Sequence, residues 1–221
     1  MIHTRRKTML CRLSAGLALA GLVSGLTAGC APLIVGGAVL GGGLVATDRR
    51  TTGTQIEDES IEFKAGARVR ELATLGQVSL TSYNRLVLIT GEVPGEAEKL
   101  AVEKAVRGIE NVRNVVNELV IAANSPIGSR TRDSYIGTKV KATLLDAKDV
   151  QANAYKVVTE RSVVYLMGRV TEREATRGAE LASSVSGVEK VVRVFDVLTE
   201  QELANLGRPA PAPQPAASAP K

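Results

Sequence analysis

Two stretches of the chain carry the same alternation of apolar and polar positions. Ile136, Val140 and Leu144 recur every four residues, and Ile61, Ala65 and Val69 do the same. That spacing keeps side chains on one helical face, so a helix is predicted at the start of each stretch. Pairs of β-branched segments follow, 77–83 with 86–93 and 153–159 with 163–170. The short polar joints between them, Asn84-Arg85 and Glu160-Arg161, predict β-hairpins. A second helix is predicted over about 95–108 and 172–185, with Glu96, Glu98, Lys99 and Glu103 giving the first copy a polar face. Thr171 followed by Glu174 is a capping-box signature at the start of the second copy. A last strand, about 113–122 and 189–199, completes the order αββαβ. Gly66 interrupts the first helix at a cost of about 1 kcal/mol against alanine, which predicts a short or irregular element.

The likeness extends to particular residues. "RLVLITGEV" (85–93) matches "SVVYLMGRV" (162–170), and "IENVRNVV" (109–116) matches "VSGVEKVV" (185–192). Upstream, Asp58 and Ile61 fall on Asp133 and Ile136. A nearly constant spacing, 75 to 77 residues, marks a duplicated unit. The fold class predicted is α+β, with two tandem units over 57–123 and 133–200 and a linker over 124–132. In each, two helices cover one face of a three-stranded mixed sheet. Gly91 and Gly168, at equivalent strand ends, are read as structural, through positive φ or close backbone packing.

Ahead of the repeats, the pattern becomes continuously apolar. Residues 1–12 are basic, 13–26 are apolar, and small residues lead to Cys30. This is the layout of a secretory signal cleaved after residue 29. "LTAGC" is also similar to a bacterial lipobox, in which the cysteine is diacylated. An uncleaved membrane anchor over 13–46 is the alternative, weakened by five glycines within 35–46 and by Pro32. Residues 30–56 then form a lipidated start and Gly-rich tether. The Pro/Ala-rich 201–221 form a disordered tail.

Composition changes the picture in one respect. The net charge of +5 suggests nucleic acid, but four of the 28 basic residues lie within 1–29, which hold no acid. The remaining 24 face 23 acidic residues, so no nucleic-acid partner is expected. The only histidine, His3, leaves with the same segment. Histidine catalysis and His/Cys metal sites are thereby excluded from a processed chain. No catalytic residue, metal or cofactor is expected.

A surface function is legible on the first helix of the second unit. On a wheel of 100° per residue with Ile136 at zero, Val140 and Leu144 fall at about 40° and 80° and face the core. Leu145, Thr138, Ala142 and Tyr135 fall at about 180° to 260°, a second apolar stripe facing outward. Lys141 and Lys139 flank it, and Arg130 and Arg132 lie just upstream. Lysine stems can lie along apolar surface while their ammonium groups meet phosphates, so this face suits an anionic bilayer. Packing of Tyr135 and Leu145 against the other unit is the alternative. The equivalent helix of the first unit, preceded by Glu57, Asp58 and Glu59, is a poor membrane face.

Glycine at a strand end followed by x-Val, then a helix, then V-x-[GN]-V-x-x-V, resembles the BON domain. Two such units behind a lipobox cysteine resemble the DolP family of outer-membrane lipoproteins. The resemblance implies a non-enzymatic protein anchored through Cys30 on the periplasmic face of the outer membrane. Ala31, in place of the aspartate that marks inner-membrane retention, fits that location. It further implies phospholipid binding and a role in envelope integrity, with envelope or division proteins as further partners. It assigns lipid contact to Tyr135, Ile136 and Leu145 with their basic neighbours, whereas the wheel puts Ile136 in the core. A scaffold for protein or peptidoglycan is the second functional reading.

Overall fold

The computed structural model describes residues 48–73 and 75–206. Residues 1–47, which include the expected signal sequence, Cys30 and most of the expected tether, and residues 207–221 of the expected tail lie outside the described residues.

The first domain runs α1 (Thr52–Leu72), β1 (Gln77–Tyr83), β2 (Leu86–Val93), α2 (Glu96–Arg107), β3 (Asn114–Asn117) and β4 (Val120–Ile121). The second runs α3 (Ile127–Asp146), a 3-10 turn, β5 (Tyr155–Glu160), β6 (Val163–Thr171), α4 (Glu172–Ser183) and β7 (Lys190–Leu198). A short α5 (Glu200–Asn205) follows. In each domain the middle strand pairs antiparallel with its hairpin partner and parallel with the last strand. The helices pack on one sheet face, as the αββαβ pattern requires. Ile61, Ala65, Val69, Val102 and Val106 meet Val87, Ile89 and Val93 in the first core. Ile136, Val140, Leu144, Ala175 and Ala182 meet Val164, Leu166 and Val170 in the second.

The other sheet faces are not left to solvent. Leu86 and Leu88 of β2, with Tyr83, form one apolar cluster with Tyr165 and Met167 of β6 and Val194 of β7. The two sheets therefore pack on each other, with helices outermost on both sides. Alternation along β2 and β6 sends one parity to the domain's own helices and the other to the partner sheet. This is why all eight residues of β2 are buried. Polar links frame the apolar contact. Asp196 accepts from Asn84 Nδ2 at 2.7 Å and Arg113 Nη2 at 3.0 Å. Lys156 Nζ donates to Glu62 Oε1 at 3.0 Å and to the Ser82 carbonyl at 3.2 Å.

Several boundaries differ from the sequence reading. Gly66 does not shorten α1, which is continuous over 21 residues because Ala65 and Val69 on either side of it are locked into the core. The helix α3 begins at Ile127, inside the expected linker, with Pro126 as its N-cap at φ −65° and ψ 157°. The second hairpin turn is Arg161-Ser162, one residue later than expected, and Glu160 ends β5. Both turns have positive φ at both central residues, 51° and 63° at Asn84-Arg85 and 52° and 62° at Arg161-Ser162. Such two-residue turns match the twist of the flanking strands. The last strand of the first domain is split into β3 and β4, opposite the stretch of β2 that holds Gly91 at φ +114°. The expected tail starts with ordered structure, because Thr199 and Glu202 form a capping box that opens α5.

The duplicated aspartates explain the turns. Asp133, buried on α3, accepts from Arg161 N and Ser162 N, both at 2.9 Å, through separate oxygens. Asp58 on α1 accepts from Asn84 N at 2.8 Å and Arg85 N at 2.7 Å, and also from Ser82 Oγ at 2.7 Å. Left-handed backbone at a non-glycine residue costs about 1–2 kcal/mol, and charge-assisted bonds of this kind offset it.

Candidate functional site

Among the described residues, nothing covers the apolar side chains on the outer face of α3. Ile127, Tyr135 and Leu145 are 79%, 65% and 67% exposed, and Thr138 and Ala142 lie between them on the surface. Burial of Val140 and Leu144 in the core fixes the rotation of the helix and points these residues outward. The hydroxyl of Thr138 donates to the Ser134 carbonyl at 2.9 Å, and that of Thr131 to the Ile127 carbonyl at 3.1 Å. Bonding back to the preceding turn satisfies these hydroxyls, so the stripe behaves as more apolar than its composition suggests.

Cations border the stripe on both sides. Lys139 Nζ lies 5.4 Å from the Tyr135 ring centroid and donates to the Ser186 carbonyl at 2.8 Å. Lys141 stands on the other flank, beside a mainly apolar groove of about 370 Å³ that Leu144, Leu145, Tyr155 and Asp48 also line. Arg130, Arg132, Lys139 and Lys141 form no ion pair with any described residue. Arg132 and Lys141 are exposed, whereas Arg130 is half-buried, with its Nε buried and its charge felt by Glu160.

Ile136 does not belong to this surface. It is 2% exposed and sits in the second core, where a side-chain carbon added to Gly187 would come within 3.2 Å of it. Its lipid-contact assignment is corrected by the helix geometry, since Ile136 shares the face of Val140 and Leu144. The alternative of Tyr135 and Leu145 packing against the first domain is likewise overturned by their exposure. The two domains meet through their sheets instead. On α1 the expected acidic surface is reduced, because Asp58 is buried against the turn, while Ile56 and Phe63 are exposed.

Gly91 and Gly168 act through close packing. A Cβ on Gly91 would lie 2.0 Å from the Gln77 carbonyl oxygen, and one on Gly168 would lie 2.2 Å from that of Ala154.

Sequence reasoning missed the segment Asp48–Arg50. Arg49 donates to both oxygens of Glu174 at 2.7 Å, with side-chain exposures of 7% and 5% for the pair. Arg50 donates to Asp58 Oδ2 at 2.7 Å and lies 4.1 Å over the Tyr83 ring. Both arginines lie in a stretch that reads as tether, and nothing in the local pattern marks their partners. A second polar cluster lies between the domains. There Glu92, 1% exposed, accepts from Ser125 Oγ and pairs with Arg161 at 3.3 Å. Burial, then the charges of Glu92 and Asp133, pushes the nearby Glu160 carboxyl above its usual range. Among the described residues no group of His, Cys, Asp and Glu could hold a metal ion, and no helix is long and apolar enough to cross a membrane.

Two sheet-packed αββαβ units define the class. Residues 57–123 and 132–199 each match the BON domain, and the chain belongs to that family. It is a BON protein of the DolP type. Over 173 residues it is 39% identical to outer membrane lipoprotein DolP of Haemophilus influenzae, covering 77% of this chain and 89% of that protein. It is 32% identical over 152 residues to a 21 kDa hemolysin of Actinobacillus pleuropneumoniae, covering 67% and 78%. Among solved structures, a type III secretion protein of Chlamydia trachomatis, CdsD, aligns over 72% of this chain and 99% of its own at 13% identity. Its TM-score of 0.27 is too low to bear on the fold.

Proposed function

We propose that the protein is a non-enzymatic outer-membrane lipoprotein, facing the periplasm, that binds anionic phospholipid through α3 of its second domain and supports envelope integrity. Acyl chains on Cys30 supply the permanent attachment. Tyr135, Leu145 and Ile127 enter the headgroup region with Thr138 and Ala142, while Lys139, Lys141, Arg130 and Arg132 meet lipid phosphates. The observation that carries the reading is an exposed apolar stripe bordered by cations that form no ion pair with any described residue. Each cation near an anionic surface contributes about 1 kcal/mol. Burying a large apolar side chain contributes about 1.5–3 kcal/mol when complete, and less here. The face alone is a weak binder, and the anchor turns it into a second contact on a surface already held.

Leu145→Glu tests the assignment, because the position is exposed and the fold does not depend on it. Sedimentation with phosphatidylglycerol vesicles should fall at least about tenfold, for a loss above 1.4 kcal/mol, with an unchanged circular dichroism spectrum. Undiminished binding by the folded variant would refute it. The scaffold reading draws on Ile56 and Phe63, which α1 exposes. A stoichiometric protein partner lost on Phe63→Ser, with vesicle binding absent in the unsubstituted protein, would favour it.

A further inference from the structure

The tripeptide Asp48-Arg49-Arg50 is the part of the described chain that leads toward Cys30, and it grips both domains. Arg49 reaches the second domain. Besides its two bonds to Glu174, it donates to the Arg169 carbonyl at 2.9 Å and to Gln151 Oε1 at 3.2 Å. Arg50, the next residue, turns to the first domain and meets Asp58 and the Tyr83 ring. Asp48 is held by Arg50 at 2.6 Å and accepts from Tyr83 Oη at 3.3 Å. Consecutive arginines pinned to different domains fix the segment against rotation about either one.

The place where they fix it bears on membrane contact. Asp48 lines the same groove as Lys141 and Leu145, at the C-terminal end of the α3 stripe. The chain toward the anchor therefore leaves the folded body beside that stripe, and not from the start of α1. The intervening residues 31–47 can span at most about 60 Å. From this departure point the anchor and the stripe can reach one leaflet together.

We propose that Asp48–Arg50 is a two-domain strap that holds the tether's exit beside Leu145, so that the acylated N-terminus and the α3 stripe engage the same leaflet bivalently. The proposal rests on the phospholipid reading given above. Released, the tether would pull from Thr52, and the body could turn the stripe away from the bilayer. The strap then sets the effective concentration of the stripe at the surface without touching lipid itself.

The test uses the full acylated chain in vesicles containing phosphatidylglycerol, with an environment-sensitive fluorophore on Ala142→Cys. Arg49→Gln should lower the immersed fraction by about threefold or more, while the protein stays in the vesicles through its acyl chains. Glu174→Gln is the second variant. It keeps an acceptor for the α4 cap while removing the charge that holds Arg49, and it should give the same loss. Leu145→Glu in the same assay separates the two claims. Immersion lost with Leu145→Glu but retained in both strap variants would overturn the strap and leave the lipid surface standing. Immersion unaffected by Leu145→Glu would overturn the lipid surface, and the strap proposal with it.

Discussion

Asp58 and Asp133 hold the same position in the two domains. Each is buried one helical turn ahead of the first core isoleucine, and each accepts both backbone N–H groups of the facing two-residue turn. The helix is thereby tied to the hairpin by a charge, in a turn that contains no glycine.

Asp133→Ala should therefore destabilise the second domain by about 3 kcal/mol. It leaves two turn amides without their acceptor and removes the compensation for left-handed backbone at Arg161 and Ser162. Urea unfolding followed by circular dichroism measures this. Asp133→Asn, which keeps one carbonyl oxygen, should lose less.

The glycines divide into required and dispensable. Gly168→Ala should cost several kcal/mol or prevent folding, because its methyl would meet a backbone oxygen at 2.2 Å. Gly66→Ala should raise stability by about 0.5–1 kcal/mol, since nothing lies within 4 Å of the added carbon and alanine is the better helix former. Thermal melts of the two variants should move in opposite directions.

Acid should loosen the strap. The Arg49 guanidinium, bonded to both oxygens, holds the Glu174 carboxyl below the usual glutamate range. A carboxyl whose folded value is depressed stabilises the fold above its unfolded value of about 4.5 and loses that contribution as pH falls through the lower folded value. Glu160 has the opposite sign. Its raised folded value penalises the fold near neutrality, and protonation relieves the penalty as pH falls through it. Glu174→Gln should weaken the protein at pH 7 and converge with the unsubstituted chain in acid. Glu160→Gln should be neutral or stabilising at pH 7. Unfolding midpoints across pH 3–7 resolve the two.

The helices and strands were legible because core positions repeat at the period of each element, as Ile136, Val140 and Leu144 do. The Thr171–Glu174 cap was legible because its partners lie three residues apart, and both of its bonds are present. The sheet-to-sheet contact was hidden. Leu88 and Met167 read as ordinary strand residues, and alternation does not say what covers the second face. The outward stripe of α3 followed from the wheel, as did the inward place of Ile136 that the family resemblance had put at the lipid. The Arg49–Glu174 pair spans 125 positions, and no local pattern carries such a relation. The role of Asp58 and Asp133 left one trace, their alignment in the duplication.

The chain contains no tryptophan, so a single one can report on α3 directly. Tyr135→Trp in the full acylated protein, reconstituted with phosphatidylglycerol vesicles, should show a blue-shifted emission that brominated lipid quenches. Phe63→Trp on α1 should show neither effect. A Tyr135→Trp spectrum unchanged by vesicles, or quenching confined to Phe63→Trp, would contradict the assignment of membrane contact to the second domain.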